Sequence, residues 1–117
     1  MLQLKNSSIL VVGGTGFLGT NLVKKLLKLG ARVTSLSLKR KKNKLTHKNL
    51  KHVFCDYTKI SSLKKKINKP FEYVVNLGGY IDHSKFFTGG RQVIDNHFLS
   101  TMNLLLSLKQ RKLKRYL

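Results

Sequence analysis

The 117-residue chain carries 24 Lys and Arg residues against four Asp and Glu residues, which gives it a formal net charge of +20. Its length suits one small domain, and 41% hydrophobic residues are enough for a packed core. No apolar run approaches the ~20 residues that cross a membrane, and residues 1–6 lack the apolar segment of a signal peptide. Because Cys55 is the sole cysteine, an internal disulfide is excluded. We expect a soluble, cytoplasmic protein.

Strand and helix patterns alternate along the chain. Short apolar runs predict strands over residues 8–12, 32–36, 50–55 and 73–77, with the first residues of a fifth strand at 116–117. Apolar residues spaced three and four apart predict helices over residues 16–29, 61–67 and 91–108, and residues 80–90 are predicted to be irregular. This order predicts an α/β fold, a Rossmann-type doubly wound parallel sheet with strand order 3-2-1-4-5 that is truncated at strand 5.

Local signals refine the helices. Thr15 is predicted to cap the first helix and Gly30 to end it, because a hydroxyl accepts well at an N-terminus and glycine permits a left-handed turn. Leu63 and Ile67 are predicted to face inward from the short second helix. The last helix is predicted to bury an apolar stripe, which consists of Ile94, Phe98, Leu99, Met102, Leu105 and Leu106.

The loop between the first strand and the first helix contains Gly13, Gly16 and Gly19, three residues apart. Glycine is needed where a backbone turns at positive φ, approaches a pyrophosphate closely, or packs a helix on a strand without a Cβ. The N–H groups and the positive dipole end of the following helix would face the anion. The loop is therefore predicted to hold a phosphate, and the alternative is a glycine-rich turn without a ligand.

Four stretches of the chain match, in order, the motifs of one protein family. Gly13-Gly14-Thr15-Gly16-Phe17-Leu18-Gly19 resembles a GGTGFxG loop, and residues 55–57 resemble an Asp-plus-apolar pair after strand 3. Residues 74–79 resemble a V-x-H-L-A-A segment, and residues 97–105 resemble an N-V-x-G-T-x-N-L-L helix. The chain thus resembles the extended short-chain dehydrogenase/reductase family, the NAD(P)-dependent epimerases, dehydratases and reductases of nucleotide sugars. Residues 113–117 resemble the start of that family's next strand, so the likeness spans the chain.

The resemblance implies that a nicotinamide dinucleotide binds across these motifs. Its pyrophosphate would lie on the loop, which comprises Gly13, Gly14, Thr15, Gly16, Phe17, Leu18 and Gly19. Asp56 would accept a hydrogen bond from the adenine amino group, and the Tyr57 N–H would bond a ring nitrogen. Leu77, Gly78 and Gly79 would line the ribose.

Two of these motif matches have alternative interpretations. Asp56 is either the ligand residue or a helix cap or surface acid. His97 stands where the family has its leading Asn, and Asn96 is one position early. Either could pin the loop after strand 4, but both are interpreted as ordinary polar helix residues.

The end of strand 2 indicates which cofactor the chain prefers. Members of the family that bind NAD place an acid there, which bonds the ribose 2′-hydroxyl. This chain has Ser37 instead, followed by Lys39 and Arg40, which could bind a 2′-phosphate. We therefore expect NADP to be favoured over NAD. The alternative is that Lys39 and Arg40 only belong to a cationic loop.

The family's catalytic Tyr-x-x-x-Lys pair is absent from the sequence. The residues four positions after Tyr57, Tyr73 and Tyr80 are Ser, Leu and Ser, and Tyr116 is followed by one residue only. No catalytic residue is therefore assigned, and residues 1–117 are interpreted as an incomplete NAD(P)-binding domain. We expect the chain alone to catalyse little, to bind a nucleotide sugar only in a full-length form, and to self-associate through its truncated sheet edge.

The sequence gives less support to a metal site, to a catalytic triad and to other classes of function. The four histidines, the single cysteine and the scattered acids show no metal-ligand spacing, so no metal site is predicted. Residues 82–84, Asp-His-Ser, are consecutive and cannot converge as a catalytic triad does, although they could contact a substrate. Two further classes are a non-catalytic NADP-sensing module and a basic nucleic-acid-binding protein. The latter is disfavoured because most of the cations are Lys rather than Arg, so no specific nucleic acid is expected.

Overall fold

A computed structural model of the chain describes residues 3–78, 86–108 and 112–117. The secondary structure follows the predicted alternation closely. The elements in chain order are β1 (Ser8–Val12), α1 (Phe17–Lys28), β2 (Arg32–Ser37), β3 (Leu50–Phe54), α2 (Ile60–Lys66), β4 (Tyr73–Asn76), α3 (Phe86–Ser107) and β5 (Arg115–Tyr116).

The five strands form one parallel sheet in the order β3-β2-β1-β4-β5, which confirms the predicted topology. Strand β1 is central, and its residues Leu10, Val11 and Val12 are completely buried. A parallel sheet covered on both faces requires such a continuous apolar strand, because neither face meets water. The winding reverses between β1 and β4, and in open sheets of this kind the carboxyl ends of two such strands border the crevice that takes a ligand.

Alternate residues of the strands lie on opposite faces of the sheet and belong to two separate hydrophobic cores. On one face, Leu10, Val12 and Leu36 pack with Leu63 of α2 and Leu104 of α3. On the other face, Ile9, Val11 and Val33 pack with α1 residues that include Val23 and Leu26. Leu63 and Ile67 are buried as predicted. The two cores fix the carboxyl ends of the strands between α1 on one side and α2 and α3 on the other.

The ends of the helices differ in part from the sequence prediction. Gly30, at φ +81°, does end α1, because it adopts the left-handed conformation that glycine allows. The prediction that Thr15 caps α1 was wrong. The N-cap residue is Gly16, and no side chain of the described residues caps the helix. The Thr15 hydroxyl instead donates to Ser37 Oγ, 2.9 Å away on β2.

Helix α3 begins earlier and faces differently than predicted. It starts at Phe86, so residues 86–90 are helical rather than irregular, while residues 79–85 lie outside the described residues. The predicted stripe of six apolar residues is 40% to 67% exposed. Asn103, Leu104, Ser107 and Leu108 are buried instead. Helical spacing identified an apolar face correctly but could not show which face the sheet covers. The polar side chain of Asn103 tolerates burial because its amide group donates to the carbonyl oxygens of Tyr57 and Thr58.

The exposed face of α3 should govern the solubility of the chain and not its stability. Phe98 and Leu106 are 67% and 61% exposed, so Phe98→Gln combined with Leu106→Gln should change the free energy of unfolding by less than about 0.5 kcal/mol. The same variant should lower self-association, because a contiguous apolar patch is removed. Denaturant unfolding and light scattering measure the two effects.

The matched control is Leu104→Ala on the opposite face of the same helix. Leu104 is 1% exposed, and its truncation should cost about 2–5 kcal/mol. If the double Gln variant unfolds as readily as Leu104→Ala, or associates as strongly as the wild type, the proposed orientation of α3 is contradicted.

Candidate functional site

The glycine loop closes tightly between β1 and α1. Gly13 follows β1 directly with φ +78°, and its N–H donates to the Leu36 carbonyl at 2.7 Å. A Cβ at Gly19 would overlap the Gly13 carbonyl oxygen and lie 2.7 Å from Gly14 Cα. Packing against backbone atoms thus demands glycine at position 19, because the first turn of α1 lies directly on the loop.

Gly16 is different, because nothing among the described residues demands a glycine there. Its φ is −72°, it is exposed, and within that part of the chain a Cβ would meet only the Gly13 carbonyl oxygen, at an ordinary 3.4 Å. A missing Cβ over open space is what a closely approaching ligand requires. The first α1 bond runs from Thr20 N to Gly16 O, so the N–H groups of Phe17 and Leu18 precede it and have no intrahelical acceptor. These are the features expected of the predicted phosphate-binding loop.

The loop after β4 meets the glycine loop. Leu77 N–H donates to the Val12 carbonyl at 2.9 Å, and Gly78 N–H donates to Asn76 Oδ1 at 3.0 Å. A Cβ at Gly13 would lie 3.0 Å from the Leu77 carbonyl carbon and oxygen, so the two loops are in direct contact. Both therefore border the same crevice, as the sheet topology requires. Gly79, the third residue predicted to line the ribose, lies outside the described residues.

Asp56 and Tyr57 follow β3 at the same edge of the sheet. Asp56 Oδ1 accepts hydrogen bonds from the Thr58 hydroxyl at 2.6 Å and the Thr58 N–H at 3.0 Å. These bonds hold the pKa of the Asp56 carboxyl below its usual value, so it is an anion at neutral pH. Asp56 is not the cap of α2, since the N-cap residue is Lys59. Burial raises the pKa of the Tyr57 phenol, which stays protonated.

The segments that follow β3 and β4 open onto a cleft of about 290 Å³, which none of residues 13–19 lines. It is lined by Leu38, Asp56, Tyr57, Thr58, Asn76, Gly78, Asn96, His97, Ser100, Thr101 and Leu104. Asn96 and His97 thus line the cleft, whereas the sequence favoured an ordinary polar helix residue at both positions. Ser100, Thr101, Thr58 and Asn76 were missed. The spacing of the polar residues at positions 96, 97, 100 and 101, one helical face, is a signal that could have identified them.

A second group of polar residues lies at the carboxyl end of β2. Ser37 is buried and bonded to the Thr15 hydroxyl, and Lys41 Nζ donates to the Thr15 carbonyl at 2.7 Å. Arg40 is held with its guanidinium 5.1 Å from the centre of the Phe54 ring, which is paired with Ser37 across the sheet. Lys39 is exposed. The structure therefore brings Lys41, which the sequence analysis did not single out, onto the glycine loop.

The remaining candidates contribute no site among the described residues. No three His, Cys, Asp or Glu side chains of residues 3–78, 86–108 and 112–117 lie together as metal ligands would. The Asp-His-Ser segment at residues 82–84 lies outside that part of the chain. Cys55 is buried, and burial raises the pKa of its thiol. Within the described residues, none of the helices combines the length and apolarity needed to cross a membrane.

The Asp56 turn makes a testable contribution to acid stability. Because the Asp56 pKa is lowered by folding, its contribution is present at neutral pH and is lost as the pH falls below about 4. The chain has only four acidic residues, so one of them should carry a visible share of the acid dependence. Asp56→Asn should therefore flatten the change in unfolding free energy between pH 5 and pH 2, measured by denaturant titration. Thr58→Val, which removes the hydroxyl donor, should flatten it in the same direction, and an unchanged profile in both variants would contradict this assignment.

Comparison with known proteins agrees with this geometry. The profile of the "NAD dependent epimerase/dehydratase family" matches residues 9–117. No protein of curated function matches the chain in sequence. Among solved structures, the epimerase Mth375 of Methanothermobacter thermautotrophicus is 22% identical with a TM-score of 0.84, and the match covers 97% of this chain and 34% of that one.

Two further structures were solved with ligands. The WbmF enzyme of Bordetella bronchiseptica, in complex with NAD+ and UDP, is 30% identical with a TM-score of 0.80, covering 97% of this chain and 35% of that one. UDP-N-acetylglucosamine 4-epimerase of Methanobrevibacter ruminantium M1, in complex with UDP-N-acetylmuramic acid, is 24% identical with a TM-score of 0.79, covering 96% and 37%. The chain spans about a third of the length of these enzymes. With its profile match, its sheet order and its paired glycine loops, the chain belongs to the NAD-dependent epimerase/dehydratase family.

Proposed function

We propose that the chain is the dinucleotide-binding portion of an epimerase- or dehydratase-type enzyme that acts on a nucleotide sugar by hydride transfer. The observation that carries the proposal is the contact between two glycine loops at the carboxyl ends of β1 and β4, beside an open cleft. Packing among the described residues does not require glycine at position 16, but the close approach of a pyrophosphate would require it. When bound, the nicotinamide ring supplies the hydride acceptor or donor.

The residues of the chain have distinct roles in this proposal. The N–H groups of Phe17 and Leu18 donate to the pyrophosphate at the positive end of α1. The Asp56 carboxylate, fixed through Oδ1 by Thr58, accepts from the adenine amino group, and the Tyr57 N–H bonds the ring. Leu77, Gly78 and Gly79 line the ribose. The binding of WbmF to NAD+ supports this choice of ligand.

The nucleotide sugar would bind outside these 117 residues. WbmF binds UDP and the Methanobrevibacter epimerase binds UDP-N-acetylmuramic acid, which supports a nucleotide sugar as the substrate class. The chain spans only about a third of such enzymes, and the sequence contains no Tyr-x-x-x-Lys pair. We therefore assign proton transfer and sugar binding to the rest of a longer protein, and expect these residues alone to turn over little.

The cofactor preference in this proposal is for NADP over NAD. The support is the character of the groups at the end of β2, which are neutral or cationic. An acidic residue at that place would bond the 2′-hydroxyl of NAD and repel the 2′-phosphate of NADP. Ser37, Thr15 and Lys41 are linked there by hydrogen bonds of 2.9 and 2.7 Å. Lys39 and Arg40, singled out from the sequence, flank this group on the same connection.

Isothermal titration of the purified chain with NADP and with NAD tests the proposal. Because the net charge of +20 attracts any polyanion, tripolyphosphate serves as the control ligand at 0.15 M salt, where the Debye length is about 8 Å. We expect saturable binding of NADP, weaker binding of NAD, and weaker binding still of tripolyphosphate. Absence of heat with both dinucleotides on folded protein would refute the binding function. Tighter binding of NAD would refute the cofactor preference alone.

A nucleic-acid-binding function gives a different outcome in the same experiment. An oligonucleotide would bind with a steep loss of affinity as the salt concentration rises, and NADP would not compete with it. Competition by NADP at constant salt therefore supports the dinucleotide site.

A further inference from the structure

Asn76, the last residue of β4, has its backbone N–H and both ends of its side chain engaged. Its backbone N–H donates to the Leu117 carbonyl at 2.7 Å. Its Oδ1 accepts from the Gly78 N–H at 3.0 Å, and its Nδ2 lies 3.0 Å from the Tyr116 hydroxyl oxygen. Because the Gly78 N–H can only donate, it fixes the orientation of the amide, so Nδ2 is the group that faces Tyr116.

Tyr116 supports this side chain from the neighbouring strand. It lies on β5, where it is paired with Val74 of β4, and it packs partly buried against the core that contains Leu10 and Leu104. The bond joins residues 40 positions apart in sequence. A rigid, partly buried phenol thereby holds the Asn76 amide in the one orientation that also bonds the loop after β4.

The loop that Asn76 holds packs closely against its neighbours. A Cβ at Gly78 would lie 3.0 Å from Val12 Cγ1, 3.2 Å from Asn76 Oδ1 and 3.5 Å from the Tyr57 hydroxyl. The preceding carbonyl, that of Leu77, lies against Gly13. The Asn76 side chain therefore sets the position of the second glycine loop relative to the first one.

We infer that Asn76 and Tyr116 are a pair of positioning residues for the nicotinamide-side half of the dinucleotide, an inference that rests on the proposed function. In a doubly wound sheet, one mononucleotide lies over the units built from strands 1–3 and the other over those that begin at strand 4. Asp56 and the glycine loop belong to the first half, and the loop after β4 belongs to the second. Loss of the Tyr116 hydroxyl should therefore weaken a dinucleotide more than an adenosine phosphate.

The test measures Kd by calorimetry for NADP and for adenosine 2′,5′-bisphosphate on four proteins. These are the wild type, Tyr116→Phe, Asn76→Ala and the double variant. Tyr116→Phe should raise the Kd for NADP about 3- to 10-fold, the effect of one hydrogen bond. The Kd for the bisphosphate should change less than about twofold. In the Asn76→Ala background, Tyr116→Phe should have no further effect, because the side chain that links the Tyr116 hydroxyl to the Gly78 N–H is gone.

Tyr73→Phe is the matched control. It removes a phenol oxygen from the same strand pair, at the amino end of β4 and on the face that packs toward Ile9 and Val11. It should leave both Kd values unchanged. Equal weakening of NADP and the bisphosphate by Tyr116→Phe, an unchanged Kd for NADP, or additive effects in the double variant would overturn the inference.

Amide hydrogen exchange separates this inference from the proposed function. Tyr116→Phe should accelerate exchange of the Gly78 N–H relative to amides of β1, with or without a ligand, because Oδ1 loses its fixed position. Wild-type protein that binds neither nucleotide would refute the proposed function, and the role toward nicotinamide with it. Unaltered exchange at Gly78, in protein that does bind NADP, would refute the positioning role alone.

Discussion

Gly16→Ala should abolish tight dinucleotide binding without loss of stability, whereas Gly19→Ala should destabilise the fold itself. At Gly19 the added Cβ would overlap the Gly13 carbonyl oxygen and press on Gly14 Cα. Both contacts are with backbone, so the loop or α1 must move. Such overpacking costs about 1–3 kcal/mol or more, and that loss is expected in the absence of any ligand.

At Gly16 the added Cβ has space within the protein. Its nearest contact is 3.4 Å, and φ of −72° suits alanine. The free energy of unfolding should therefore stay within about 0.5 kcal/mol of the wild type. A pyrophosphate lying against the loop would meet the new methyl group, and we expect the Kd for the dinucleotide to rise at least about 10-fold, or about 1.4 kcal/mol.

Denaturant unfolding and calorimetric titration of the two variants separate packing from ligand contact. Gly16→Ala protein that binds NADP as tightly as the wild type would show that the pyrophosphate does not lie on this loop. Gly19→Ala protein of unchanged stability would contradict the packing of α1 on Gly13. Each of the two glycines therefore has its own readout, although the sequence motif contains them as one pattern.

The sequence predicted the sheet because its signals are local. Each strand is a short apolar run bounded by polar or glycine residues, and the strand order follows from handedness rules once parallel strands are recognised. The family motif likewise marked Gly13, Gly16 and Gly19 without any structure. The roles of these glycines toward a ligand stay predictions. The space around Gly16 and Gly19 differs, however, and their regular spacing in the sequence could not show this difference.

The failures arose where a residue's partner is distant in sequence. Thr15 has a side chain that often caps helices, yet its hydroxyl donates to Ser37 Oγ, 22 positions away. Helix α3 has two plausible inward faces, and only packing shows that the face with Asn103 and Leu104 meets the sheet. Lys41 stood in a run of cations that gave no reason to choose one member. Contact with the Thr15 carbonyl, 26 positions away, singles it out.

Lys41→Glu should reverse the cofactor preference. Lys41 Nζ lies 2.7 Å from the carbonyl oxygen of Thr15, whose hydroxyl donates to Ser37 Oγ at the end of β2, where a 2′-phosphate is expected. Loss of a charge-assisted hydrogen bond costs about 1.5–3 kcal/mol, so the Kd for NADP should rise about 10- to 100-fold. The Kd for NAD, which has no phosphate there, should change less than about threefold.

Lys42→Glu is the matched control, because it makes the same change in net charge at the adjacent exposed residue. It should reduce NADP affinity only slightly, because it changes only the long-range attraction between the protein's positive charge and the phosphate, which 0.15 M salt largely screens. Arg40→Glu should fall between the two, because the Arg40 guanidinium lies over the Phe54 ring rather than on the glycine loop. Equal losses in all three variants would mean that the overall cationic field, and not a defined site, distinguishes NADP from NAD. A loss confined to Lys41 would locate that distinction at the ammonium group that contacts the Thr15 carbonyl.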